Sequence, residues 1–119
     1  MTKQITWAFS GKPATLKEVT DQVGAGWKWL VENLVSDLFD LGWDGNLYQI
    51  KEKFGGLRFY IGEGSDEIHE AISAAEDRSY LTCERTGEPG ERRSLRGWLK
   101  VLSDDEYNKY LEEQKNVQS

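Results

Sequence analysis

The sequence predicts an α+β fold in which one small antiparallel sheet packs against helices. Two stretches with a helical apolar period, at about 27–41 and 66–80, flank a hairpin pattern at 47–61. The chain has 119 residues, a common size for one domain, so we expect a single domain over 1–119. Hydrophobic residues make up 38% of it, and five Trp, five Tyr and four Phe supply large side chains for a core.

The first third of the chain is expected to hold a strand and two helices. Apolar residues alternate within 1–14, which predicts an edge strand or an arm there. Thr15 and Glu18 have the spacing of a capping box that opens a short helix. Apolar residues then recur every three or four positions, which predicts a helix over 27–41. Trp29 falls off the centre of that apolar stripe.

The Gly55-Gly56 pair lies between two alternating runs and predicts a hairpin with a two-residue turn. In the expected register Lys53 lies opposite Arg58, and Glu52 lies opposite Phe59. One face of the hairpin would then be apolar, with Tyr48, Ile50, Phe54, Leu57, Phe59 and Ile61. The other face would carry Lys51, Lys53, Arg58 and Tyr60, which are candidates for binding an anion or a nucleic acid.

A carboxylate on the apolar face needs a partner, so we expect Glu52 to pair with an arginine of 92–96. Ser65 is expected to cap the helix at 66–80, which is rich in acids. That helix would either neutralise the basic hairpin face or bind a basic partner. Its candidate binding residues are Glu67, Glu70 and Asp77.

The last third of the chain begins with an irregular stretch over 83–90. A strand is expected within 92–102, followed by a helix at about 104–116, with a frayed tail over 113–119. Arg92, Arg93 and Arg96 form a local basic run and are candidates for contact with phosphate or with an acidic surface.

The segment 51–60 reads KEKFGGLRFY and resembles the signature of a family of small, uncharacterised bacterial and phage proteins. The resemblance covers about 24–107. It implies a zinc knuckle of the pattern Cys-x-x-Cys followed by Cys-x-x-His. This chain keeps only the first cysteine, Cys83, because Thr86, Ser103 and Glu106 stand at the other three positions. We therefore expect no metal, and a helix-capping box at Ser103 and Glu106 in place of the last two ligands.

Composition excludes several classes of function. A net charge of −6 argues against adhesion of the whole surface to DNA or to anionic membranes. One Cys and one His cannot build a disulfide or an ordinary four-ligand zinc site. No apolar run reaches the roughly 18 residues of a membrane span, so we expect a cytoplasmic protein. No Walker-type loop, HExxH motif or nucleotide fingerprint appears, so we expect no cofactor.

These observations favour a non-enzymatic interaction protein of the phage or mobile-element type, which binds a host protein or protein–nucleic-acid complex in a bacterial cell. An inhibitor of a host defence complex is one concrete version. The alternative is a nucleic-acid-binding domain derived from a zinc knuckle that has lost its metal. An enzyme built on Glu52 or Cys83 is the third hypothesis, and no catalytic residue is predicted. The aromatic residues Trp29 and Tyr60 are further candidates for the contact surface.

Overall fold

The computed structural model describes residues 3–118. It has 42% helix and 27% strand, which confirms the α+β class. The elements in chain order are β1 (Ile5–Trp7), β2 (Pro13–Ala14), α1 (Leu16–Thr20), α2 (Lys28–Asp40), β3 (Asn46–Lys53), β4 (Gly56–Ile61), α3 (Asp66–Ser79), β5 (Glu91–Leu95), β6 (Trp98–Leu102) and α4 (Asp104–Gln118). A short 3₁₀ turn over Ala25–Trp27 leads into α2.

Four strands form the main sheet in the order β2-β1-β3-β4. β1 pairs parallel with β3, so the sheet is mixed rather than antiparallel throughout. The segment 1–14 does supply an edge strand, but that strand is β2; the alternating segment forms β1, which lies inside the sheet. The chain reverses at Gly11, whose φ of +73° suits glycine, and this reversal brings β2 back beside β1.

The helices α2 and α3 bury their apolar stripes with the inner face of this sheet. The shared core includes Leu30, Leu34, Leu38, Leu47, Ile50, Leu57, Phe59, Ile68 and Ile72. Two predicted caps are confirmed. The Thr15 hydroxyl accepts a hydrogen bond from the Glu18 amide, and the Ser65 hydroxyl accepts one from the Ile68 amide.

We call β3 and β4 the first hairpin. Its turn is Phe54-Gly55, with φ of +54° and +84°, rather than the expected Gly55-Gly56. Gly56 is the first residue of β4. Its glycine makes room for Tyr80, since a Cβ at this position would lie 2.4 Å from the tyrosine ring. The register consequently pairs Lys51 with Arg58, and not Lys53 with Arg58.

Near the turn, each β3 residue therefore pairs with a β4 residue two positions earlier than expected. Because side chains alternate with a period of two, most residues keep their expected face. Glu52 stays on the inner side but lies opposite Leu57 instead of Phe59. Tyr48 is an exception, because an irregularity between Leu47 and Gln49 buries Leu47 and leaves Tyr48 exposed. Phe54, in the turn, is likewise 63% exposed.

We call β5 and β6 the second hairpin. The sequence predicted one strand within 92–102, but the chain turns at Arg96-Gly97, with φ of +53° and +91°. This hairpin packs on a small apolar cluster of Cys83, Leu95 and Leu102, with Tyr107 and Tyr110 of α4. Helix α4 continues to Gln118, the last residue that the structure describes. The frayed tail expected over 113–119 is therefore wrong for residues 113–118.

Candidate functional site

The face of the first hairpin that points away from the core carries basic and aromatic side chains. Lys51 and Lys53 lie on β3, and Arg58 and Tyr60 lie on β4 beside them. The lysine ammonium groups lie near aromatic rings, 5.8 Å from the Tyr60 centroid for Lys51 and 5.6 Å from the Phe54 centroid for Lys53. The expected grouping of the four candidate residues on one face is therefore present.

Tyr80, the residue after α3, connects this face to the second hairpin. Its hydroxyl accepts a 2.8 Å hydrogen bond from Nη2 of Arg58, and this bond raises the pKa of Arg58 above its ordinary value. The guanidinium of Arg92 lies 5.5 Å from the Tyr80 ring centroid. We define the basic face as Lys51, Lys53, Arg58, Tyr60 and Arg92. Tyr80 is not among the residues predicted from the sequence. Its signal is Gly56, because a glycine within a strand indicates that another group approaches closely, but Gly56 was expected in the turn.

The four cations of the basic face form no ion pair within the part of the chain that the structure describes. The acidic helix thus forms no ion pair with these cations among those residues, although the charge of Glu76 contributes to the raised pKa of Arg58. Glu76 of α3 reaches the hairpin but accepts a 3.0 Å hydrogen bond from the Phe59 amide. Ser79 accepts one of 2.9 Å from the Leu57 amide in the same way. These two side chains occupy the outer edge of β4.

Glu67, Glu70 and Asp77 lie exposed on α3, and steps of three and seven place them on one side of the helix. We call these three residues the acidic ridge. None of them pairs with a cation among residues 3–118. The ridge is thus a second charged surface, of the opposite sign to the basic face.

The arginine run does not form one cluster, because neighbouring residues of a strand point to opposite faces. Arg92 joins the basic face, whereas Arg93 forms ion pairs with Asp104 and Glu91 and lies 4.5 Å from the Tyr107 ring centroid. Arg96 is exposed in the turn. Arg93 thus ties the second hairpin to α4, and its predicted role in binding stays a prediction.

Lys100, and not an arginine of 92–96, is the partner of Glu52. Its Nζ lies 2.7 Å from Oε1 of Glu52 and 3.4 Å from Oε1 of Glu84. Burial opposes the charge of Lys100, but these two carboxylates hold its pKa above its ordinary value. Burial raises the pKa of Glu84 above 4.5, and Lys100 offsets this only in part. The three residues join the first hairpin, the loop after α3 and the second hairpin.

The positions that resemble the knuckle ligands lie close together around Cys83, which is fully buried. Burial raises the pKa of this thiol, but hydrogen bonds from the Thr86 hydroxyl and from neighbouring amides, including that of Ser103, leave it below its ordinary value. The predicted cap at Ser103 is present, because its hydroxyl accepts a 3.2 Å hydrogen bond from the Glu106 amide. The Glu106 carboxylate pairs with Lys109 and Arg85 instead of closing the capping box.

Among the described residues no group of three or more His, Cys, Asp or Glu side chains is placed to hold a metal ion. The expected absence of zinc stays a prediction. Elemental analysis of the purified chain tests it, and zinc in a stoichiometric amount would contradict it.

Comparison with protein-family models, with curated protein sequences and with solved structures finds no significant match to this chain. The resemblance to the KEKFGGLRFY family therefore stays a prediction. Within residues 3–118, no helix has the length and apolar character that crossing a membrane requires. The basic face and the acidic ridge are the two charged surfaces that bear on function.

Proposed function

We propose that this chain is a non-enzymatic binding protein of the phage or mobile-element type, acting on a host assembly that contains nucleic acid in the bacterial cytoplasm. Its basic face contacts the nucleic acid. Inhibition of a host defence complex is one concrete form of this function. The observation that carries the proposal is that four cations, which form no ion pair among residues 3–118, lie beside aromatic rings. Lys51, Lys53 and Arg58 lie on the open face of the first hairpin, and Arg92 lies next to it on the second hairpin.

This combination suits single-stranded nucleic acid. Cationic side chains neutralise phosphates, and exposed rings stack on bases that are free of a partner strand. Tyr60 is 39% exposed and Phe54 is 63% exposed, so both rings offer area for stacking. Because the whole chain carries −6, attraction to phosphate depends on local basic surfaces such as this face, which favours a defined contact over general adhesion.

A protein component of the assembly is the second candidate partner, and the acidic ridge supports it. Three carboxylates on one helix face, none of them in an ion pair with a described residue, complement a basic protein surface and mimic the charge of a nucleic acid backbone. Converting Glu67, Glu70 and Asp77 to Lys should abolish nuclease-resistant retention of lysate proteins on the immobilised chain. If retention persists in this variant, the ridge is not the contact.

The basic face is tested with a fluorescent single-stranded oligonucleotide of about 12 nucleotides, measured by anisotropy at several salt concentrations. Four phosphate contacts predict a log–log salt slope of about −3 for a single strand. The variant Lys51→Glu, Lys53→Glu, Arg92→Glu should lose measurable binding. Arg58 is left intact because its hydrogen bond to Tyr80 supports the local structure.

A matched control changes the same amount of charge elsewhere, in Lys12→Glu, Lys109→Glu, Lys115→Glu. These lysines lie on the exposed loop before β2 and on α4. The control should keep most of the affinity. Equal loss in both variants would show that net charge alone governs binding. Absence of binding by the unmodified chain at low salt would reject nucleic acid as the partner of this face.

A further inference from the structure

A groove of about 600 Å³ lies between the start of α2 and the loop that follows α3. Trp29, Lys28 and Gly26 line it from one side, and Arg78, Leu81 and Gly87 line it from the other. None of these residues belongs to the basic face or to the acidic ridge. The groove is therefore a separate surface that the proposed function does not use.

Two large apolar side chains border the groove and remain uncovered. Trp29 is 67% exposed and Leu81 is 69% exposed. Exposed tryptophan at the border of a concave surface is typical of sites where a few residues supply most of the binding energy. Trp29 is also the residue that the helical pattern left off the buried stripe of α2, so the core does not require it.

The floor of the groove is held rigidly. The Gly26 amide donates a 2.9 Å hydrogen bond to the Glu84 carbonyl, and the Trp27 indole donates one of 2.9 Å to the Thr82 carbonyl. A Cβ at Gly26 would lie 2.1 Å from the Cys83 carbonyl, so only glycine permits this close packing of the two loops. A site built in advance lowers the entropic cost of binding.

The charges that line the groove indicate which ligand fits. Lys28 and Arg78 form no ion pair among the described residues, and both face the groove. Glu32 supplies one carboxylate to the same wall. That carboxylate would repel the closely spaced phosphates of a nucleic acid, whereas a single acidic group can approach the two cations and avoid it. The apolar border requires an apolar side chain beside that acidic group.

We propose that this groove binds a short segment of a protein partner in which an acidic residue lies next to an aromatic or aliphatic one. The apolar side chain packs between Trp29 and Leu81. The carboxylate pairs with Lys28 or Arg78. The groove is then a protein-binding surface separate from the basic face and from the acidic ridge, and it can hold a protein segment while the basic face holds nucleic acid.

The probe is a random-peptide phage-display library selected on the immobilised full chain. The selected peptides should be enriched in an acidic residue adjacent to an aromatic or aliphatic one. A synthetic peptide from the selection is then labelled and titrated by anisotropy. Trp29→Ala should weaken its binding at least about tenfold. The control is Trp98→Ala, which removes an equally exposed tryptophan outside the groove and should leave binding within about twofold.

The charge requirement is tested on both partners. Lys28→Glu with Arg78→Glu should weaken binding, and so should replacing the acidic residue of the peptide by its amide. Circular dichroism confirms that each variant is folded. Selected peptides without acidic residues, or equal losses in Trp29→Ala and Trp98→Ala, would overturn the proposal.

The same variants separate this inference from the proposed function. Trp29→Ala should bind the oligonucleotide normally, and the triple basic-face variant should bind the peptide normally. If the unmodified chain binds the peptide but not the oligonucleotide, the nucleic acid role alone is rejected; if it binds the oligonucleotide but not the peptide, the groove proposal alone is rejected.

Discussion

The two hairpins turn in the same way but are held by different forces. Each reverses at a non-glycine residue followed by glycine, both with positive φ, at Phe54-Gly55 and Arg96-Gly97. The first hairpin buries its inner face in the main core, which α2 and α3 complete. The second rests on a cluster of three buried residues and is tied down by the ion pairs of Arg93 and Lys100.

This difference shows how the same turn geometry can belong to regions of unequal stability. Apolar burial grows with area, whereas partly exposed ion pairs each contribute little. We therefore expect the first hairpin to supply most of the stability and the second to open more readily. The predictions below test that ranking, from the largest effect to the smallest.

Phe59→Ala should lower the free energy of unfolding by about 3–5 kcal/mol, because this buried ring belongs to the main core. Tyr60→Ala, one position along β4, should cost under about 1 kcal/mol because Tyr60 lies on the open face. Denaturant unfolding of both variants measures the difference. The reverse order would show that the faces of the first hairpin are assigned wrongly.

Lys100→Met should cost about 1–2 kcal/mol, since it leaves the Glu84 carboxylate buried without a cation. Lys109→Met, which removes an exposed pair with Glu106, is the control and should cost under about 0.5 kcal/mol. Thermal unfolding compares the two variants. Equal losses would mean that the Lys100 cluster does not hold the second hairpin.

Ser103→Ala should cost about 1 kcal/mol through loss of the cap of α4. Ser65→Ala removes the corresponding hydrogen bond at α3, which has the same length of 3.2 Å, and should cost about as much. Because caps are local, the two helices should respond alike even though they lie in regions of unequal stability. No change in either variant would show that the caps contribute nothing measurable.

Glu84→Gln should raise stability at neutral pH by under about 1 kcal/mol. The folded state raises the pKa of Glu84 above 4.5, so ionisation of this carboxyl destabilises the fold as pH rises through the raised value. The glutamine variant avoids that cost, and its advantage should disappear below pH 4.5, where both states bind the proton. Melting temperatures of both proteins across pH measure this advantage of the glutamine variant. An advantage that grows towards acid pH would contradict the raised pKa of Glu84.

Elements with local sequence signals could be predicted, whereas features that depend on packing between distant segments could not. Apolar periodicity and capping residues are local signals, so α2, α3, the first hairpin and the caps at Thr15, Ser65 and Ser103 were predicted. The turn was predicted at Gly55-Gly56, one position too far along the chain, because Gly56 makes room for the Tyr80 ring and is not a turn residue. An arginine with positive φ carries no strong sequence signal, so the turn of the second hairpin was missed.

The candidate residues were grouped correctly where the grouping depends on the period of a single strand pair or helix. Residues of the first hairpin face were grouped correctly because side chains alternate along strands. The contacts of Arg92 with Tyr80 and of Lys100 with Glu52 join distant parts of the chain. Such pairings depend on how separate elements are arranged in three dimensions, and neighbouring residues in the sequence do not encode them.

The side chains that occupy the rim of the main sheet also determine how another chain can approach it. At β4, Ser79 and Glu76 already accept hydrogen bonds from the amides of Leu57 and Phe59. At the opposite rim, β2 is only two residues long and begins with Pro13, which has no amide hydrogen to offer. An incoming peptide strand would have to displace these groups to extend the sheet. The main sheet thereby resists strand addition and amyloid-like stacking, which favours contact with partners through its open face.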